Sequence, residues 1–461
     1  MCSFLPIMYS SAENIRTPAI IESLLAHALR SLILLYRTLV QNRMSLPGTI
    51  TKLLYNTFVI YYLHWYIMLP VGSPATGDDF VDRERETAFI LSTIKNDHVM
   101  LVAPRRFGKT SIMRKIERDL VSKRQSCVFL EVESVNSPGE FITDLVTALV
   151  ECEGASVKAR ISSALGKAFA RLQENIDEIE TPAFRAKLRS CLRAEFSDDW
   201  HEKAKKVDEI FAGLTGPVCI ILDEFPVAIQ NMEEDARKFL HWFRRLRQVS
   251  AGVRFIVGGS VSIDHVVYHI GGTSVINDFR RVAIGGFSED VALSVVERVF
   301  REEGWEYSPE IGRAALDCVG EPYIPYFIMI VLSGLKEEAD ISGGVPSPAL
   351  VERIYTRRIL GSEGRHYFEH YSRRLQTTYS GQEAKAARAI LSRASLAESL
   401  PAGIAYEIFR QSTGSGSEDA FRALLAQLNH DFYVASEPPG ELRFYSKMLR
   451  DWWRIYYAGT W

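Results

Sequence analysis

One segment of the chain has the residue types and the spacing of a phosphate-binding site. An apolar run at 98–103 leads into PRRFGKTS at 104–111, and a helical pattern follows. In this order of strand, loop and helix, loop N–H groups and the helix N-terminus point toward a bound anion. The spacing matches the pattern G-x-x-x-x-G-K-[ST], with Ala103 as a small residue in place of the first glycine. We therefore expect this loop to bind a nucleotide phosphate.

The residues of this loop have separate expected roles. Gly108 lets the backbone approach the anion, Lys109 reaches the β- and γ-phosphates, and the Thr110 hydroxyl holds Mg²⁺. No role is assigned to Arg105 or Arg106, which suit solvent as well as phosphate. The residues expected to contact the nucleotide here are Ala103, Pro104, Gly108, Lys109, Thr110 and Ser111.

A second apolar run carries two carboxylates to the same region. Residues 218–222 (VCIIL) have the composition of a buried parallel strand, and Asp223 and Glu224 follow directly. Asp223 is expected in the Mg²⁺ shell, and Glu224 is expected to act as general base on the attacking water. The alternative is that both carboxylates only cap the loop after the strand. If Asp223 and Glu224 have the metal-binding and general-base roles, we expect the site to hydrolyse its nucleotide.

Two further residues are weaker candidates. An apolar strand at 253–257 runs into GGS at 258–260, and Ser260 would position the water if this strand lies between the other two. A Gly-Gly-Ser turn without ligand contact is the alternative. Arg280 precedes a short strand at 282–284 and is a candidate arginine finger for a neighbouring subunit's nucleotide. A surface arginine pair with Arg281 explains the same residues.

Composition limits the classes of protein that could position these residues. The 461 residues are 47% hydrophobic and 24% charged, which suits two or three globular domains. The net charge of -3 gives no global attraction to nucleic acid or anionic lipid. The six cysteines form no CxxC pair, which favours thiols in a reducing compartment and a cytoplasmic protein.

The N-terminal segment 1–67 differs from the rest of the chain. Residues 53–69 carry no formal charge, but this run is at the lower limit of length for a membrane span, and Asn56 and His64 oppose insertion. We expect residues 1–67 to be a packed extension or an artefact upstream of a start at Met68. A membrane anchor through 53–69 is the alternative, so membrane association is not the first expectation.

Taken together, the motifs resemble those of the archaeal-type AAA ATPases, which are P-loop ATPases related to the STAND group. The resemblance covers about 72–457, and the segment 1–67 has no counterpart in it. The similar segments are 80–86 (FVDRERE), 103–111 (APRRFGKTS), the strand 128–132, 222–226 (LDEFP), 258–260 (GGS), 320–323 (GEPY) and 446–453 (SKMLRDWW). The resemblance implies ATP and Mg²⁺ as ligands, Phe80 and Arg83 beside the adenine, and the Pro322 turn of a helical lid facing the nucleotide. A helix stop explains the glycine and proline of that turn equally well.

The expected fold is α/β, with an AAA-like P-loop parallel sheet, a helical insertion, a helical lid and a winged-helix-like C-terminal domain. The corresponding ranges are 68–285 for the core, about 137–214 for the insertion, 286–345 for the lid and 346–461 for the last domain. Residues 351–461 hold 15 Lys and Arg against 12 Asp and Glu, which is too even to indicate DNA binding.

The expected function is an ATP-hydrolysing switch that couples nucleotide state to the C-terminal module. The alternative is a nucleotide-gated DNA-binding regulator with little turnover. Besides ATP, the expected partners are DNA or a protein at the C-terminal domain, and a second copy of the chain in a homo-oligomer.

Overall fold

The structure is a computed structural model that describes residues 80–151, 199–212, 214, 217–259, 263–270, 273–436 and 438–458. The predictions for 1–67, for the apolar stretch 53–69, for Ser260 and for most of the insertion 137–214 lie outside the described residues. Within the described ranges, no helix is long and apolar enough to cross a membrane.

A parallel sheet of five strands forms the centre of the N-terminal half, in the order β2-β3-β4-β1-β5. The expected α/β fold with a parallel sheet is confirmed, and β4 does lie between the strands that carry the phosphate loop and the carboxylates. The strands are β1 (His98–Val102), β2 (Ser126–Glu131), β3 (Val218–Asp223), β4 (Val253–Gly258) and β5 (Phe279–Ala283).

The edge strand β5 begins at Phe279, before the predicted start at 282. It pairs with the whole of β1, from His98 opposite Phe279 to Val102 opposite Ala283. Arg280 and Arg281 are therefore strand residues, and both are exposed. Charged residues are common on edge strands because they discourage pairing with another chain.

Helices cover both faces of this sheet. On one face, α6 buries Phe239, Leu240, Phe243 and Leu246, the spacing of a helix with one apolar side. Phe243 contacts Phe255 of the sheet with 4.9 Å between ring centroids. The helices are α1 (Glu84–Thr93), α2 (Lys109–Ser122), α3 (Pro138–Glu151), α4 (Trp200–Ala212), α5 (Phe225–Asn231), α6 (Ala236–Val249) and α7 (Ile263–Ile270).

A helical region follows the sheet. Ser288, Ser308 and Ser347 each begin a helix by accepting a hydrogen bond from a backbone N–H of its first turn, as N-cap residues do. The helices are α8 (Glu289–Glu302), α9 (Pro309–Val319), α10 (Pro325–Ser342), α11 (Pro348–Ile354) and α12 (Glu369–Thr378). Their hydrophobic core is continuous with the core under α1 and α2.

The last segment has the order helix, strand, two helices, two strands and helix. Its three short strands form an antiparallel sheet in the order β6-β8-β7. Trp452 and Trp453 of the final helix are fully buried. The elements are α13 (Gly381–Ala394), β6 (Leu400–Pro401), α14 (Ala402–Thr413), α15 (Glu418–His430), β7 (Val434–Ala435), β8 (Glu441–Phe444) and α16 (Lys447–Tyr457).

Candidate functional site

The predicted phosphate loop joins β1 to α2 at the carboxyl edge of the sheet. Gly108 precedes α2 with φ +84°, in the left-handed region that glycine adopts without strain. No side chain caps the helix. The first N–H groups of α2 therefore have no intrahelical acceptor and are oriented toward the loop, the arrangement that binds anions.

Lys109 lies inside this loop rather than in solvent. Its Nζ donates hydrogen bonds to the carbonyl oxygens of Ala103 at 2.9 Å and Pro104 at 3.1 Å. Burial lowers the pKa of Lys109 to about 8, although the charges of Glu224 and Asp223 oppose the shift. The ammonium group is thus held in the cradle by two weak acceptors. An anionic phosphate is a stronger partner for it.

Thr110 and Asp223 bring two oxygen donors together from separate elements. The Thr110 hydroxyl donates to Asp223 Oδ2 at 2.6 Å, and the backbone N–H of Glu224 donates to Asp223 Oδ1 at 3.0 Å. Asp223 is only 3% exposed, and burial raises its pKa while the Thr110 bond lowers it. Hydroxyl and carboxylate oxygens are the ligands that Mg²⁺ prefers.

Glu224 occupies a strained backbone position directly after β3. Its φ of +57° and ψ of 30° are left-handed, an uncommon conformation for a residue other than glycine. Such strain is concentrated at functional sites. Its carboxylate is near enough to Lys109 to influence that amine's pKa. The turn therefore presents Glu224 on the same edge of the sheet as the phosphate loop.

The end of β4 packs against this turn. A Cβ atom on Gly259 would lie 2.5 Å from Pro226 Cδ and 3.3 Å from Glu224 Cα, so only glycine fits without movement. Because Gly259 has no side chain, the end of β4 can pack directly against the turn that carries Glu224. Ser260, the predicted water-positioning residue, follows Gly259 and lies outside the described residues.

The residues expected beside the adenine form a second group. Arg83 is buried, and it donates to the Gly285 carbonyl oxygen at 2.8 Å and to Glu86 Oε1 at 2.8 Å. Its guanidinium lies 4.8 Å from the centre of the Phe287 ring. Arg83 is thus held by protein partners, and Phe80 packs half-buried against the same core.

The Pro322 turn packs against the segment that follows β5, next to this second group. A Cβ atom on Gly286 would lie 2.9 Å from Pro322 Cβ, and the Phe287 N–H donates to the Tyr323 carbonyl at 2.9 Å. The Ile284 N–H donates to the Val102 carbonyl at 2.9 Å, at the start of the phosphate loop. The structure therefore brings the Pro322 turn and the segment after β5 next to Arg83 and to the end of β1, from which the phosphate loop runs.

Two other predicted site residues, Ser111 and Arg280, lie outside the two groups described above. Ser111 is buried in the first turn of α2. Arg280 pairs with Val99 inside the sheet and is exposed on its edge, so the fold does not bring it to the phosphate loop of its own chain. Its expected action on a neighbouring subunit's nucleotide stays a prediction.

The sequence did not predict that the phosphate loop contacts residues 286–458, called the C-terminal region below. Arg106 donates to the Tyr367 carbonyl at 2.8 Å, and its guanidinium lies 3.8 Å from the centre of the Tyr326 ring. The Phe107 ring is buried, with its centroid 6.0 Å from that of Tyr445. The only sequence signal was an arginine and a phenylalanine in a loop that needs neither for phosphate.

A small cavity lies where β1 and β4 end. Its volume is about 40 Å³, and it is lined on one side by Ala103, Gly259 and Pro226 and on the other by His430 and Phe432. The end of α15 therefore faces the start of the phosphate loop across the cavity.

Comparisons with known proteins bear on the fold. No protein-family model matches the chain, and no curated protein matches its sequence. The Walker-type ATPase PABY2304 of Pyrococcus abyssi matches with a TM-score of 0.58 and 14% identity, over 84% of this chain and 100% of that one. The Aeropyrum pernix ORC2 protein, solved as ADPNP-ADP complexes, matches with a TM-score of 0.51 and 13% identity, over 82% and 95%. These likenesses confirm the fold read from the motifs.

Proposed function

From the premise that the chain has the fold of the Walker-type ATPases, we propose that it binds ATP with Mg²⁺ at the phosphate loop and hydrolyses it. One observation carries the proposal. The Thr110 hydroxyl and the Asp223 carboxylate meet at 2.6 Å beside a buried lysine, at the N-terminus of a helix that no side chain caps. This combination suits a phosphate–Mg²⁺ pair.

Different groups of the chain bind the phosphates, hold the metal ion and accept the proton of the attacking water. The first N–H groups of α2 and Lys109 bind the β- and γ-phosphates, and Thr110 and Asp223 hold the metal ion. Mg²⁺ supplies positive charge that offsets the charge developing on the transferred phosphoryl group. Glu224 accepts the proton of the attacking water. The Gly285–Phe287 segment, with Arg83 and Pro322 behind it, forms the wall beside the adenine.

The neighbour from Aeropyrum pernix agrees with this assignment, because its structure contains ADPNP and ADP. It shares the fold with this chain at 13% identity, so the ligand is an inference for this chain. The residues at the loop support the inference independently of that likeness.

The C-terminal segment supports a switch rather than a bare hydrolase. The order helix, strand, helix, helix, strand, strand from α13 to β8 is that of a winged helix. We propose that this module carries the nucleotide state to a partner.

The charges on the module favour a protein partner over DNA. In a winged helix that reads DNA, the helix before the hairpin enters the major groove, and cations contact the phosphates. The corresponding helix here, α15, begins with exposed Glu418 and Asp419, and its Arg422 is 3.1 Å from Glu418. Fluorescence anisotropy with a labelled duplex at physiological salt should detect no binding by the ATP-bound protein, and tight binding would favour the DNA-regulator alternative.

Nucleotide binding is tested by Lys109→Ala, with Lys123→Ala as the matched control. Lys123 is exposed at the other end of α2. Mg-ATP should raise the melting temperature of the wild type and of Lys123→Ala, because a ligand that binds only the folded state stabilises it. It should not raise that of Lys109→Ala. An equal rise in all three proteins would refute the assignment of the loop.

A further inference from the structure

Arg106 belongs to the phosphate loop by sequence and to the C-terminal region by contact. Its backbone has φ +73°, and its side chain turns away from the cradle. There it donates to the carbonyl of Tyr367, between α11 and α12, and lies on the Tyr326 ring of α10. An arginine over an aromatic face combines a cation–π contact with a directional hydrogen bond. Arg106 thus fixes a strained loop residue to helices that come much later in the chain.

The next residue makes a second anchor to a different part of the same region. Phe107 is fully buried and packs near Tyr445, which follows β8. Tyr445 in turn contacts Phe432, with 5.3 Å between ring centroids, and its N–H donates to the Tyr433 carbonyl. Two consecutive loop residues therefore contact two separate parts of the C-terminal region, Arg106 the helices around Tyr326 and Tyr367 and Phe107 the residue after β8.

Docking of this region brings an ion pair close to the loop. Arg374 of α12 is paired with the buried Asp431, which lies between the two cavity residues His430 and Phe432. After burial, the charges of Arg106, Arg105 and Arg374 lower the pKa of His370, to about 3. Arg106, Arg105 and Arg374 therefore lie near one another around His370, with Asp431 offsetting part of the charge of Arg374, and an anion in the cradle would reduce their mutual repulsion.

We propose that Arg106 is a positioning residue that couples phosphate binding in the loop to docking of the C-terminal region. The coupling rests on the proposed nucleotide site and names the residue that links it to the C-terminal module. Since coupling between two equilibria is reciprocal, docking that tightens nucleotide binding must itself be strengthened by nucleotide by the same factor. Couplings of this kind are typically about 5- to 150-fold.

The test is hydrogen–deuterium exchange of the full chain with and without Mg-ADP, read on peptides from α2, α12 and the segment around Tyr445. In the wild type, Mg-ADP should slow exchange at all three. Arg106→Ala and Tyr326→Ala should bind Mg-ADP about tenfold more weakly and lose the slowing at α12 and Tyr445. Tyr326→Ala removes only the ring, so it keeps the test valid if Arg106→Ala does not fold.

Two controls separate coupling from charge and from packing. Arg105→Ala removes an exposed cation from the same loop. It should keep the slowing by Mg-ADP at α12 and around Tyr445. Tyr326→Phe keeps the aromatic face and should behave as the wild type.

The outcomes distinguish the coupling from the site itself. Slowing at α2 but not at α12 in the wild type, or wild-type slowing at α12 in Arg106→Ala, would overturn the coupling alone. A wild type that neither binds Mg-ADP nor changes its exchange at α2 would overturn the proposed nucleotide site and the coupling with it.

Discussion

Two adjacent glycines at the end of β4 should respond very differently to the same substitution. A Cβ atom on Gly259 would lie 2.5 Å from Pro226 Cδ and 3.0 Å from Pro226 Cγ, atoms of a rigid ring. A Cβ atom on Gly258 would lie 2.5 Å from Met113 Cε, the end of a flexible side chain. Alanine at 258 can be accommodated by rotating Met113, whereas alanine at 259 must displace the turn that carries Glu224.

The size of the effect follows from the overlap. Ordinary contacts of a Cβ atom begin at 3.4 Å, so the strand end and the Pro226 ring must separate by about 1 Å. Overpacking of this kind costs about 1–3 kcal/mol of unfolding free energy. Displacing a catalytic group by about 1 Å costs roughly 10²-fold in rate. We therefore expect Gly259→Ala to lose both stability and turnover, and Gly258→Ala to lose less than about 1 kcal/mol.

Urea denaturation and ATPase turnover at saturating ATP measure the two effects in one pair of variants. Gly259→Ala should have a lower urea midpoint and a lower kcat than Gly258→Ala. Equal behaviour of the two variants would mean that β4 does not set the position of Glu224, and the geometric account of the carboxylate turn would be wrong.

Two further predictions concern single side chains. Asp223→Ala should weaken Mg²⁺ binding while leaving the urea midpoint close to that of the wild type, because the carboxylate stands at a strand end. Unchanged Mg²⁺ dependence of turnover would exclude Asp223 from the metal site. The pKa of His98 is lowered from 6.5 to about 4, mainly by burial and next by the charge of Arg247. The folded protein therefore keeps this imidazole neutral and loses stability as the pH falls from about 6.5 toward 4, because the unfolded chain binds the proton more readily. Between pH 7 and pH 5 the wild type should lose on the order of 2 kcal/mol more than His98→Gln, and parallel losses would contradict the buried neutral state.

Local features of the chain could be predicted from the sequence. The phosphate loop, the carboxylates after β3 and the strand β4 each show in a short run of residues, because a buried parallel strand is continuously apolar and a phosphate loop needs glycine at a fixed spacing. The position of β4 between β1 and β3 entered only as a condition for the role of Ser260, and the places of β2 and β5 in the sheet were not predicted. The helical character of residues 286–345 was equally predictable, since serine or proline marks the first turns of the helices there.

Features that depend on distant partners could not be predicted. β6 is only Leu400–Pro401, and it is a strand solely because it pairs with β8. The early start of β5 follows from its pairing with β1. The side chain of Arg106 fits solvent, phosphate or protein equally well by type, and only the packing of the C-terminal region selects the carbonyl of Tyr367. For the same reason, the family resemblance around Phe80 and Arg83 implied a position beside the adenine but not that Arg83 donates a hydrogen bond to the Gly285 carbonyl.

The most direct test of the central claim is the steady-state ATPase rate of Glu224→Gln beside that of Glu234→Gln, an exposed glutamate one helix further on. If Glu224 is the general base of a hydrolysing site, Glu224→Gln should keep its affinity for Mg-ATP and lose about 10²–10⁴-fold in kcat, while Glu234→Gln keeps the wild-type rate. Wild-type turnover in Glu224→Gln, with the same ATP affinity, would contradict the claim that this site hydrolyses ATP through Glu224.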